Sequence, residues 1–145
     1  MDFINIERCR KTLKTSETIS VDGVVSNGPD LPKAMDMTTD MAMTKINGTV
    51  SILSGGSPST WAYSTQTWYY NHETESFTPG PNLLEGRRYH GSATIVDKVS
   101  KAKIPIVTGG SSVHDYLKST ELLIDGQWQT GTIYSSYIIK DKIWV

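Results

Sequence analysis

The chain has 145 residues and a formal net charge of −1, from 14 basic against 15 acidic residues. That balance argues against nucleic acid or another polyanion as partner, and no apolar run is long enough to cross a bilayer. The first eleven residues, Met1 to Lys11, lack the apolar core of a signal peptide, and the lone Cys9 cannot form an intrachain disulfide, so a reducing, cytoplasmic compartment is the weak lean unless a leader precedes Met1.

Residues 1–15 are polar, with neither strand nor helix periodicity, and are expected to form a short helix or no regular structure. From Thr18 the pattern is β. Thr18–Val21 reads as a strand, and Asp22-Gly23 is a hairpin signal before Val24-Val25. A first full unit follows. Its strands are expected at 39–45, 49–54, 66–71 and 75–78, with Asn47-Gly48 as a two-residue type I′ turn between the first two. Asn47-Gly48-Thr49 also matches the N-glycosylation pattern, but the turn accounts for it without secretion. Gly55-Gly56 ends the second strand, and a Ser/Thr-rich loop with Pro58 and Trp61 precedes the third.

A second unit repeats this layout, with strands expected at 89–96, 104–108, 119–124 and 127–129. Its first hairpin is longer and basic, with Lys98, Lys101 and Lys103, and Asp125-Gly126 turns its last two strands. Beyond Gly131 the layout changes: Tyr134–Ile139, a Lys140-Asp141-Lys142 turn and Ile143-Trp144-Val145 read as one hairpin of a further unit.

The two units share punctuation. Gly28-Pro29 is followed by Gly55-Gly56, and Gly80-Pro81 by Gly109-Gly110, at a step of roughly fifty residues that marks a repeat array. Ser16, Asp22, Gly23 and Gly28 reappear two steps later as Ser119, Asp125, Gly126 and Gly131, which brings Val25, Phe77 and Trp128 to one place in the repeat. A double glycine at a strand end supplies positive φ or room for a close backbone approach. A bulky residue 77 or 128 fills the space between adjacent sheets, and Gly80-Pro81 turns the chain onward.

These markers resemble the kelch repeat. Tyr70 to Phe77 is similar to its strand–turn–aromatic stretch, and Arg87-Arg88-Tyr89-His90 to the Arg and His that open a repeat. The likeness covers roughly residues 16–132. It implies an all-β fold of four-stranded, kelch-like blades in an incomplete β-propeller: part of a blade at 16–32, full blades at 33–81 and 82–131, and part of a blade at 132–145. Closed propellers use roughly four to eight blades, so two do not close a ring. The chain is then a fragment of a longer propeller protein, a subunit that completes a ring with other copies, or an open array. The first is favoured, because short arrays lack the neighbour interfaces that stabilise them, and open strand edges invite self-association.

Catalytic and metal signatures are missing. His72, His90 and His114 share no short ligand spacing with one another or with Cys9, and no phosphate loop, dinucleotide fingerprint or nucleophile elbow is present. Ser100-x-x-Lys103 lies in a charged hairpin without the companion motifs of a Ser-Lys enzyme, and Glu73 with Glu75 solvates a turn. The most site-like cluster is Arg87, Arg88 and His90. Either an Arg binds an acidic partner segment, or one Arg and His90 bond loop carbonyls between blades, which is the favoured alternative. A fixed step puts Met35, Asp36 and Thr38 at these places in the first unit. Trp61 in one loop, with His114 and Tyr116 in the matching loop of the next unit, are the other candidate contacts.

The expected function is protein–protein interaction without catalysis or cofactor, the partner being another protein and neither nucleic acid nor membrane. The resemblance also admits the substrate-recognition piece of a cullin-RING ubiquitin ligase adaptor, although no BTB domain is recognisable. It admits a remnant of a galactose-oxidase-like enzyme, whose copper site would need Tyr and His side chains from several blades.

Overall fold

The computed structural model describes residues 3–5, 15–32, 40–57 and 62–131. The expectations for Met35, Asp36, Thr38, Trp61 and the hairpin at 132–145 lie outside the described residues. What is described is all-β, with no α-helix, in three antiparallel sheets. The first holds β1 (Phe3–Asn5), β2 (Glu17–Ile19) and β3 (Val25–Asn27) in that order. The second runs β4 (Met41–Lys45), β5 (Val50–Gly55), β6 (Thr67–Asn71) and β7 (Ser76–Pro79). The third runs β8 (Gly91–Val96), β9 (Lys103–Thr108), β10 (Thr120–Ile124) and β11 (Gln127–Gly131). Each four-stranded sheet is a meander in which sequence neighbours pair.

Two local expectations need correction. Phe3–Asn5 is a strand, not helix or irregular chain: it pairs antiparallel with β2, Phe3 opposite Ile19, and so takes up the edge of β2 that β3 leaves open. Asn47-Gly48 is not a type I′ turn, since neither residue has positive φ. The connection is longer, and Asn47 Oδ1 accepts bonds from the Thr49 and Val50 amides while the Ile46 amide reaches Val50 O. An Asx turn thus does the work a left-handed dipeptide would have done. Asp125-Gly126 is the left-handed dipeptide, at φ 49° and 76° between the paired Ile124 and Gln127.

The strands second in each sheet, β5 and β9, are the most deeply buried. Ile52 from β5 and Val107 from β9 form a core with Leu83 of the connecting segment and Trp128 of β11, flanked by Ile46, Tyr69 and Leu123. The core therefore lies between the second and third sheets. Trp128 and Phe77 hold the same place in their hairpins, opposite Leu123 and Tyr70. They differ in burial. Trp128 is buried and donates its Nε1–H to Pro81 O at 3.0 Å, whereas Phe77 is half-buried against the Tyr70 ring. Val25, aligned with them in sequence, is exposed.

A closure recurs in the first two sheets. The Ser16 hydroxyl donates to Pro29 O at 2.6 Å and the Gly28 amide to Ser16 O. The Thr67 hydroxyl donates to Pro81 O at 2.7 Å and the Gly80 amide to Thr67 O. In the third sheet Thr120 stands opposite Gly131, but its hydroxyl bonds the Thr108 hydroxyl. Pro105, which has no amide N–H, stands in β9 where the ladder to β10 stops, at Ile106.

Candidate functional site

The segment Gly86 to His90, which leads into β8, lies at the junction of the second and third sheets. Its backbone bonds both. The Gly56 amide donates to Arg87 O at 2.9 Å, the Arg87 amide to Ser64 O and the Tyr89 amide to Asp40 O, all on the side of the second sheet. Arg88 exchanges both amide bonds with Ser111, on the side of the third. The double glycines make this approach possible. Gly55, Gly56, Gly109 and Gly110 all have positive φ. A Cβ on Gly110 would stand 2.5 Å from Arg88 O, and one on Gly55 would run into Arg87 O.

The four side chains of this segment diverge sharply in environment. Arg87 is wholly buried. Its NH1 donates to Gly109 O and Ser119 O, and its NH2 to Ser119 Oγ and, at 2.6 Å, to Glu121 Oε1. Glu121 is buried as well, and its other bonds come from the Leu84 and Glu85 amides. Both terminal nitrogens of Arg87 are thus committed to bonds within the chain, its Nε is buried without a hydrogen-bond partner among the described residues, and the side chain is out of reach of a partner protein. His90 is buried and its Nε2 lies 2.9 Å from Ser54 Oγ. Burial, and secondarily the Arg87 charge, lowers its pKa from 6.5 to about 4, which keeps the imidazole neutral.

Arg88 and Tyr89 turn the other way. The Arg88 guanidinium sits 4.7 Å from the Tyr63 ring centre and 5.2 Å from that of Tyr89, with Asp40 Oδ2 3.9 Å from its NH1. Tyr89 is 59 % exposed at φ 56°. A bulky residue in the left-handed region costs roughly 1–3 kcal/mol and persists only where the surroundings impose it. Here they do: the Tyr89 amide is held by Asp40 O, and the flanking Arg88 and His90 are fixed. The strain directs the ring to solvent.

Beside it lies the loop from Ser111 to Leu117. Ser111 bridges both Arg88 and Tyr116, and Leu117 N returns to Gly110 O. Val113, His114 and Tyr116 of this loop are exposed, Tyr116 at 84 %. The structure therefore brings Arg88, Tyr116 and His114 to one region and sets Arg87 and His90 in the interior beneath it. Three of its members escaped the sequence reading. Tyr89 was flanked by the named residues and carried no signal of its own strain. Tyr63 gave no sign that it stacks on Arg88. Glu121 was legible only as a carboxylate interrupting an otherwise apolar strand.

The fixed repeat step also misplaced the counterpart of His90. Strand register sets Met41 opposite Gly55, as it sets His90 opposite Gly109 by extension of the β8–β9 pairing. A Cβ on Gly56 would strike Met41 Cγ, and one on Gly110 would stand 2.9 Å from His90 Cβ. Met41, not Thr38, therefore holds the place of His90.

Among the described residues no group of three His, Cys, Asp or Glu side chains is arranged to hold a metal ion. Compared with known proteins, the chain matches no family model and no curated protein.

Proposed function

We propose that the chain is a kelch-like protein–protein interaction module, whose two four-stranded sheets act as blades of a propeller completed by further blades. The contact surface on this reading is the loop face carrying Tyr89, Tyr116, Val113 and Arg88. The observation that carries it is Tyr89: a strained backbone holds its ring in water, braced by Arg88, whose backbone pairs with the loop that bears a second exposed tyrosine, Tyr116. Exposed aromatics beside an Arg are the residues that supply most binding energy in protein interfaces, and they sit on loops framed by rigid sheets. The kelch likeness is supported by the matched Gly-Pro turns, the double glycines at positive φ and the equivalent places of Phe77 and Trp128.

A peptide-display selection against the whole chain tests this. Selected peptides are expected to lose at least about tenfold in affinity on Tyr89→Ala or Tyr116→Ala, and to bind Val99→Ser unchanged. Selected peptides that bind the Tyr89→Ala/Tyr116→Ala double variant as well as the parent, or a library that yields no binder, would overturn it.

A further inference from the structure

The other end of the sheets carries a cleft unconnected with the loop face. It has a volume of about 360 Å³ and is lined by Lys45, Ile46, Asn47, Gly48, Thr94, Val96 and Lys103. Its walls are the β4–β5 connection and the ends of β8 and β9. Small-molecule sites begin at about this size.

Both walls are held in place. Asn47 Oδ1 pins the first through two backbone amides. Asp97 Oδ1 pins the β8–β9 hairpin by accepting from the Val99 and Ser100 amides and the Ser100 hydroxyl. The Thr94 hydroxyl donates to Lys45 O at 2.8 Å and joins one wall to the other. Ile46 packs on the core between the sheets, which anchors its side of the cleft.

The charge is one-sided. Lys45 and Lys103 line the cleft, and Lys98 and Lys101 lie on the adjoining hairpin. Among the described residues no carboxylate lines the cleft; Asp97, next to Val96, accepts its bonds within its own hairpin. Neither Lys45 nor Lys103 is in an ion pair among the described residues. Gly48 adds accessible backbone, with open space where a Cβ would stand.

We propose that this cleft binds a phosphate group, with Lys45 and Lys103 as its paired cations and the Gly48 backbone in its lining. A phosphate monoester carries close to two negative charges and so uses both ammonium groups, where a carboxylate uses one. Ile46 and Val96 accommodate the carbon skeleton that bears it. This site is independent of the protein-binding face.

The test is titration of the whole, isotope-labelled chain at low salt with inorganic phosphate, glycerol phosphate, a short phosphoserine peptide and acetate, followed by amide NMR. Saturable shifts centred on Gly48 and Thr94 are expected with phosphate and weak ones with acetate. Affinity should fall at least about tenfold in Lys45→Gln and in Lys103→Gln and stay unchanged in Lys118→Gln, which is distant in the loop before β10. Tighter binding of glycerol phosphate than of the peptide assigns the group to a small metabolite, and the reverse assigns it to a modified protein side chain. Absence of saturable shifts in the unsubstituted chain, equal binding of acetate, or full affinity in the double Gln variant would each overturn the site.

Discussion

Arg87 and Glu121 form a buried ion pair at 2.6 Å that ties the segment entering the third sheet to the middle of that sheet. The charges are not left bare. Arg87 also bonds Gly109 O, Ser119 O and Ser119 Oγ, and Glu121 takes two backbone amides from Leu84 and Glu85. Such a pair costs desolvation when made, and more when broken on one side only.

Arg87→Ala is therefore expected to destabilise the chain by about 3–5 kcal/mol, because it strands the Glu121 carboxylate in the interior. Arg87→Met with Glu121→Leu should cost clearly less than the single change. Urea unfolding of the three variants measures both, and a loss below about 1 kcal/mol for Arg87→Ala would show the pair to be unimportant.

His90 gives stability a pH dependence. Its folded pKa of about 4 lies below its ordinary 6.5, so the unfolded chain binds its proton first as pH falls. Its contribution, roughly 3 kcal/mol, is full above about pH 6.5 and lost as pH drops toward 4. His90→Met, which installs the residue that Met41 supplies in the second sheet, should flatten that part of the profile relative to the parent. Parallel profiles of the two proteins between pH 4 and 6.5 would contradict the assignment.

The double glycine separates two effects. Gly109 and Gly110 both have positive φ, but a Cβ on Gly109 meets only Leu117 O at 3.7 Å, while one on Gly110 crowds Arg88 O at 2.5 Å and His90 Cβ at 2.9 Å. Gly109→Ala should cost about 1–2 kcal/mol, the backbone strain alone. Gly110→Ala should cost visibly more, because the Arg88–Ser111 pairing has to move. Equal melting temperatures for the two variants would remove the close-approach explanation.

Trp128 and Phe77 should not be equivalent. Trp128→Ala is expected to cost about 3–5 kcal/mol, chiefly from lost packing on Ile52, Leu83 and Val107, since the Pro81 carbonyl keeps its bond from the Thr67 hydroxyl. Phe77→Ala, at a half-buried site, should cost less than half as much. Chemical denaturation of the pair decides it.

On the proposed function, blade edges without neighbours make the isolated chain self-associate. Light scattering across a gel-filtration peak should show a mass above that of one chain, rising with concentration. A monodisperse monomer with a cooperative melt would refute this.

Much of the strand layout was legible in the sequence, because the punctuation acts through local backbone chemistry: proline in Gly-Pro fixes φ, and the glycines of Gly-Gly and Asp-Gly reach the positive φ that most other residues avoid. All eight strands of the two four-stranded sheets fall within two residues of the expected limits. What resisted reading depended on neighbours distant in sequence. Asn47-Gly48 has the composition of a type I′ turn, yet the Asn47 side chain competes for the backbone amides and wins. Strand β1 is defined by the edge it pairs with, not by its own residues. Arg87 and Arg88 are adjacent and chemically alike, and only the packing sends one into the interior and the other between two tyrosine rings. The counterpart of His90 was missed because connection lengths differ between the units, so a constant step drifts while strand register does not.

The closure made by Ser16 with Pro29, and again by Thr67 with Pro81, needs only groups from within one unit. These two units thus carry both halves of their own clasp, the hydroxyl just before β2 or at the start of β6 and the carbonyl after the last strand, β3 or β7. A cut just beyond Pro29 or Pro81 separates whole cassettes and severs neither clasp. Such cuts are natural crossover points: duplicated or exchanged cassettes joined there would keep their internal closure, and a chimera assembled at these positions would need compatibility only at the faces where one sheet meets the next.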